Sequence, residues 1–96
     1  MKLLGNVYKI HFAKTRETVY PANGPCSGTM ENRRRIMHLW RSPEVHPDEL
    51  LHSYFHELVH AIDWLLEIEL SEKKVNLLAS GLLSWALENG IEVPIK

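Results

Sequence analysis

Cysteine is almost absent: Cys26 is the one example in 96 residues. No internal disulfide is possible, and a lone thiol fits a reducing compartment, which predicts a cytoplasmic location. Charge of one sign is missing too. Eleven Lys and Arg against twelve Asp and Glu leave a net charge of −1, so no overall field draws the chain to nucleic acid or to an anionic membrane. Long apolar runs are also lacking, and no stretch approaches the roughly 20 residues of a membrane span. The apolar start Met1-Lys2-Leu3-Leu4 yields to Gly5-Asn6 too soon for a signal-peptide core. Neither nucleic acid nor a membrane is therefore expected as a partner. No phosphate-binding glycine loop, serine nucleophile motif, internal repeat or low-complexity tract is visible. At 45% hydrophobic content, the chain has material for one small core, so residues 1–96 are expected to form a single domain.

Histidine, by contrast, is plentiful, with six in the chain and three of them at positions 52, 56 and 60. Residues 7–12 alternate, with Tyr8, Ile10 and Phe12 on one face, and read as a half-buried strand. Residues 15–30 are polar and broken by Pro21, Gly24, Pro25 and Gly28, which predicts a loop, with a short strand near Val19-Tyr20 as a variant. Residues 34–40 return to β-compatible side chains and predict a second strand. Pro47 followed by Asp48 and Glu49 predicts the start of a long helix, running to about Leu66. At about 100° per residue its apolar side chains, among them Leu51, Tyr54, Phe55, Leu58 and Ile62, fill one half of the wheel. Glu49, His52, Ser53, His56, His60, Asp63 and Glu67 hold the other. Ser71 is a good N-cap for a second helix that Asn89-Gly90 ends, with Val75, Leu78, Ala79, Leu82, Trp85 and Ala86 as its packing face. The fold class is α+β: a short N-terminal sheet packed on a helical hairpin.

His56-Glu57-Leu58-Val59-His60 is an H-E-x-x-H sequence. On a helix the two histidines lie one turn apart on one face, so both imidazoles reach a single tetrahedral Zn²⁺. Glu57, about 100° round from His56, is placed to take a proton from water as the catalytic base rather than to bind the ion. A catalytic zinc needs a third protein ligand and an open position. Glu72 is the choice, because it opens the second helix at the edge facing the first; Glu67 and Glu69 are its rivals. Asn76, one turn later, and Asp63, one turn beyond His60, are candidates to hold a ligating imidazole through its other nitrogen.

The pattern His56-Glu57-x-x-His60 followed by Glu72-x-x-x-Asn76 resembles that of gluzincin metallopeptidases. The run from Tyr54 to Asp63 and the strands before it most resemble the small ImmA/IrrE-like peptidases of phages and mobile elements, over residues 34–89. The resemblance implies a zincin-like core, zinc as cofactor, Glu72 as third ligand and Asn76 as its support. It also implies limited cleavage of a protein or peptide substrate, such as a transcriptional repressor.

Other residues carry weaker readings. His52 cannot share the ion with both neighbours, since it and His60 lie about 12 Å apart along the axis; it is exposed or an outer support. His38 and His46 are candidates for the oxyanion. Cys26 reads as a loop residue, Arg33, Arg34, Arg35 and Arg41 as solvated charges, and Trp40, Trp64 and Trp85 as core or hairpin packing. The alternative function is a metal-binding protein-interaction module with little or no catalysis.

Overall fold

The computed structural model describes residues 1–14 and 28–95. The variant strand near Val19-Tyr20 and the loop reading of Cys26 lie outside them. Seven elements follow in order: β1 (Lys2–Leu3), β2 (Asn6–Val7), β3 (Lys9–Ala13), β4 (Gly28–Glu31), β5 (Ile36–Trp40), α1 (Pro47–Leu66) and α2 (Glu72–Asn89). The fold is α+β, as the sequence predicts.

β1 and β2 form a two-residue hairpin whose turn, Leu4-Gly5, has both φ angles positive, 48° and 80°. That is the hand of turn whose twist matches paired strands. The main sheet runs β3-β5-β4, with β5 central, parallel to β3 and antiparallel to β4. Alternation places Ile10 and Phe12 toward the core and Lys9 and His11 toward solvent. Three boundaries depart from the sequence expectation. The strand expected at residues 7–12 is divided, Val7 ending β2 and Lys9 starting β3, with Tyr8 between them. β4 falls in the segment read as loop: Gly-Thr-Met-Glu has no apolar alternation of its own and becomes a strand by pairing with β5. β5 begins at Ile36 rather than at residue 34, because Arg35 takes a left-handed φ of 55° to close the β4–β5 turn.

α1 has the predicted limits. His46 is its N-cap, its Nδ1 accepting from the Asp48 backbone N–H at 3.1 Å, and Pro47 occupies the first turn. Ser71 caps α2 through Lys74 N–H, and Gly90 ends it at φ 61°. The core lies between β5 and the hairpin. Met37 and Leu39 of β5 are fully buried against Tyr54, Phe55, Ala79 and Ala86, and Ile95 tucks in behind them. Truncating Leu39 to alanine would cost about 2–5 kcal/mol, the usual loss for such a site. Small residues at Ala79 and Ala86 let the helices approach closely. The expected face of α2 is only partly right: Leu78 and Trp85 are 48% and 50% exposed, and Trp64 is 50% exposed on α1. Their packing role is therefore corrected; large side chains at these places overhang a core already filled by smaller ones. Among the described residues no helix is long and apolar enough to cross a membrane.

Candidate metal centre

The helical hairpin makes the site. α1 ends with Glu67 in the left-handed region at φ 52°, and Glu69 follows at 64°. This tight reversal starts α2 beside the middle of α1 and brings Glu72 over His56 and His60. The Nε2 atoms of His56 and His60 lie 3.1 Å apart. One Glu72 oxygen is 2.8 Å from His56 Nε2 and the other 3.2 Å from His60 Nε2. A tetrahedral ion with bonds of about 2.0–2.1 Å sets its ligand atoms about 3.3–3.4 Å apart, so the observed triangle is close to the required size.

Protons serve this triangle poorly. If both rings donate to the carboxylate, two N–H groups face each other across 3.1 Å. If one ring turns a lone pair inward, that pair meets a carboxylate oxygen, which can only accept. A cation at the centre satisfies all three groups, and the donor set of two imidazoles and a carboxylate is one that zinc and other borderline divalent ions accept. Asn76 lines one depression with His56 and pushes the pKa of its ring upward, in reach of the supporting role expected for it. Glu67 and Glu69 lie in the reversal itself and line a separate depression with Asp63.

Glu57 is 5% exposed and points the other way round the helix, toward β4. Among the described residues it has no hydrogen-bond partner. Burial, with a further push from the negative charge of Glu72, raises its pKa from the ordinary 4.5 to about 8. A divalent cation on the neighbouring triangle would oppose that push. His56 is shifted down, chiefly because burial disfavours its charged form, with Glu72 offsetting part of the effect. A carboxylate and an imidazole perturbed side by side in one cleft are typical of functional sites.

No protein-family model, curated protein or solved structure matches the chain. The site must be read from its own geometry.

The cleft is about 450 Å³ and is lined by residues 28–32 on one side and by His56, Glu57, His60 and Glu72 on the other. Gly28 is the residue that sequence reasoning missed. A Cβ there would stand 3.3 Å from both Cγ and an oxygen of Glu57 and 3.2 Å from the His38 carbonyl oxygen. Its lack of a side chain lets β4 close on Glu57. No local signal marks it, since the contact exists only in the folded chain.

Three expectations change. Asp63 does not hold His60: its Oδ1 accepts from Leu70 N–H at 3.1 Å and its carbonyl from Ile68 N–H, so it ties down the reversal. His46 is the helix cap, a role that Pro47 at the first helical position could have indicated. His38 is engaged by Glu31 and His11 and does not line the cleft. His52, one turn before His56, meets the Ser80 hydroxyl at 3.3 Å, an outer position of the kind expected.

Proposed function

We propose that this protein is a zinc-dependent peptidase of the H-E-x-x-H, gluzincin-like type, resembling the ImmA/IrrE-like peptidases. The observation that carries the reading is the convergence of His56 Nε2, His60 Nε2 and the Glu72 carboxylate at 2.8–3.2 Å, with the buried Glu57 in the same cleft. Zinc bound there supplies Lewis acidity, lowering the pKa of water and polarising a carbonyl. Glu57 takes the proton from the attacking water and passes it to the leaving amine. Its burial favours this work, since a carboxylate with a raised pKa is a better base and readily returns the proton. Asn76 steadies His56, and Gly28 leaves room for the Glu57 side chain.

The substrate is an extended segment of a protein or peptide. β4 is the outermost of the described strands of the main sheet and lines the cleft, so an extended segment lying in the cleft runs beside it. A repressor-like substrate and a cytoplasmic setting belong to this proposal. Exposed Leu77, Trp85 and Leu87 on α2 favour one second reading, a metal-holding interaction module with a weak or idle site. Metal content decides first: the parent should hold about one zinc per chain at the helical triangle, and His56→Ala and Glu72→Gln should lose it. A parent that takes up no zinc there under any condition removes both readings. Activity then separates them: Glu57→Gln should keep the metal and lose peptide hydrolysis.

A further inference from the structure

The outer face of the main sheet carries a second pair of converging imidazoles. His11 of β3 and His38 of β5 are register partners in the parallel ladder, and their Nδ1 atoms lie 3.1 Å apart. Met37 and Leu39, the neighbours of His38, are buried toward the helices, so alternation turns His38 to the opposite side. This pair is built from different elements than the helical triangle and shares no residue with it.

Glu31 of β4 decides what the pair can do. Its Oε2 lies 2.9 Å from His38 Nε2, and it also receives Arg34 at 3.5 Å. An ionised carboxylate only accepts, so His38 carries its proton on Nε2 and presents Nδ1 as a lone pair. That is the arrangement in which a carboxylate fixes the tautomer of a metal-ligating histidine from behind. In the metal-free protein His11 Nδ1–H donates to the His38 lone pair. When His11 releases its Nδ1 proton to water and takes one up at its outer Nε2, two lone pairs are left side by side, separated by close to the edge of a tetrahedral coordination shell.

We infer that His11 and His38 form a second divalent-cation site, with Glu31 holding His38 and with water in the remaining positions. Its chemistry suits imidazole-preferring ions such as zinc, nickel or copper rather than magnesium or calcium. A two-histidine grip is weaker than the helical triangle and exchanges with the medium. An ion there clips β3 to β5 and immobilises Glu31, next to the edge that lines the cleft, so it stabilises the sheet by mass action as the metal concentration rises.

The test uses zinc as probe and calorimetric titration of the full chain. In a His56→Ala/His60→Ala background, about one zinc per chain should remain. His11→Gln should remove it, Glu31→Gln should weaken it about 10–100-fold, as removal of such an outer partner commonly does, and His52→Gln should leave it unchanged. In the parent, His11→Gln should lower the zinc count by one, which gives a readout even if the double variant does not fold. A zinc count that is the same with and without His11 overturns the proposal, as does a Glu31→Gln variant that binds as tightly as its parent.

Discussion

Two groups of two histidines and one glutamate, one on the helices and one on the sheet, are wired differently. On the helices, His56 and His60 face each other through Nε2, and Glu72 reaches those same two atoms at 2.8 and 3.2 Å. On the sheet, His11 and His38 face each other through Nδ1, and Glu31 takes the nitrogen on the far side of one ring. The same residue types therefore make a three-point socket in one place and a two-point grip with a brace in the other. The position of the carboxylate, not the number of histidines, sets whether it binds an ion or orients a ligand. Among the described residues only the helical group has a buried carboxylate beside it, which is why catalysis is proposed there.

The sharpest way to break the contrast is at that buried carboxylate. Glu57→Gln should lower peptide hydrolysis about 10²–10⁴-fold, the range over which a positioned base contributes, with zinc content unchanged. Turnover equal to the parent would leave the helical group as a binding site and nothing more. Next comes a matched pair of amide substitutions read by zinc affinity. Glu72→Gln should weaken the helical site by more than the roughly 100-fold that an outer partner is worth at most, whereas Glu31→Gln should fall within 10–100-fold at the sheet site. Equal losses would mean that the two glutamates play one role.

Acid–base behaviour sharpens the same contrast. In chelator-treated protein the pKa of Glu57 is raised from 4.5 to about 8, so the folded state holds a proton that the unfolded chain has already released. Its contribution to stability is therefore present in full below about 4.5 and is lost as pH rises through about 8. The depressed His56 works in the other sense, since the unfolded chain takes up that proton first as pH falls. Subtracting the Glu57→Gln profile from the parent isolates the glutamate, and the difference should fall across that window in urea titrations. A flat difference would show that Glu57 is not buried in a neutral form. Saturating zinc should flatten the parent profile, because the ion opposes the charge that raises the group.

How much of this was open to the sequence depends on how local each signal is. α1 and α2 were legible in helical periodicity, Pro47, Ser71 and Gly90, and the juxtaposition of Glu72 with His56 and His60 follows from a short reversal between two helices. β4 was not, because Gly28-Thr29-Met30-Glu31 is a strand by virtue of its partner, and a polar segment with a glycine resembles a loop. The pairing of His11 with His38 depends on a parallel register between strands far apart in sequence, which periodicity does not encode. Trp64 and Trp85 show the limit of reading size as burial: the buried face of α2 is set by its alanines. Gly28 belongs to the same class. Gly28→Ala places a Cβ 3.3 Å from Glu57 and 3.2 Å from the His38 carbonyl, so the base must shift by a few tenths of an ångström. Hydrolysis should drop by less than the roughly 100-fold that a 1 Å misplacement costs, with zinc affinity unchanged; a variant with parental rates would show that Glu57 tolerates movement.

The smallest effect concerns a third carboxylate. Asp63 lies one turn beyond His60, where a bracing role like that of Glu31 was expected, yet its Oδ1 accepts from Leu70 N–H in the reversal between α1 and α2. Its work is then mechanical: it helps hold the turn that brings Glu72 to the histidines. Asp63→Asn keeps an acceptor oxygen in place and should leave both zinc affinity and stability near those of the parent. Asp63→Ala removes the acceptor and should cost about 1 kcal/mol, the usual net value of one hydrogen bond, measurable as a shift in the urea midpoint. Any loss of zinc affinity in the alanine variant should be no larger than its loss of stability, since the ligands themselves are intact and only the turn is loosened. If instead Asp63→Asn weakened zinc tenfold or more while leaving the midpoint alone, Asp63 would be bracing His60 after all, and the two histidine groups would be more alike than their geometry indicates.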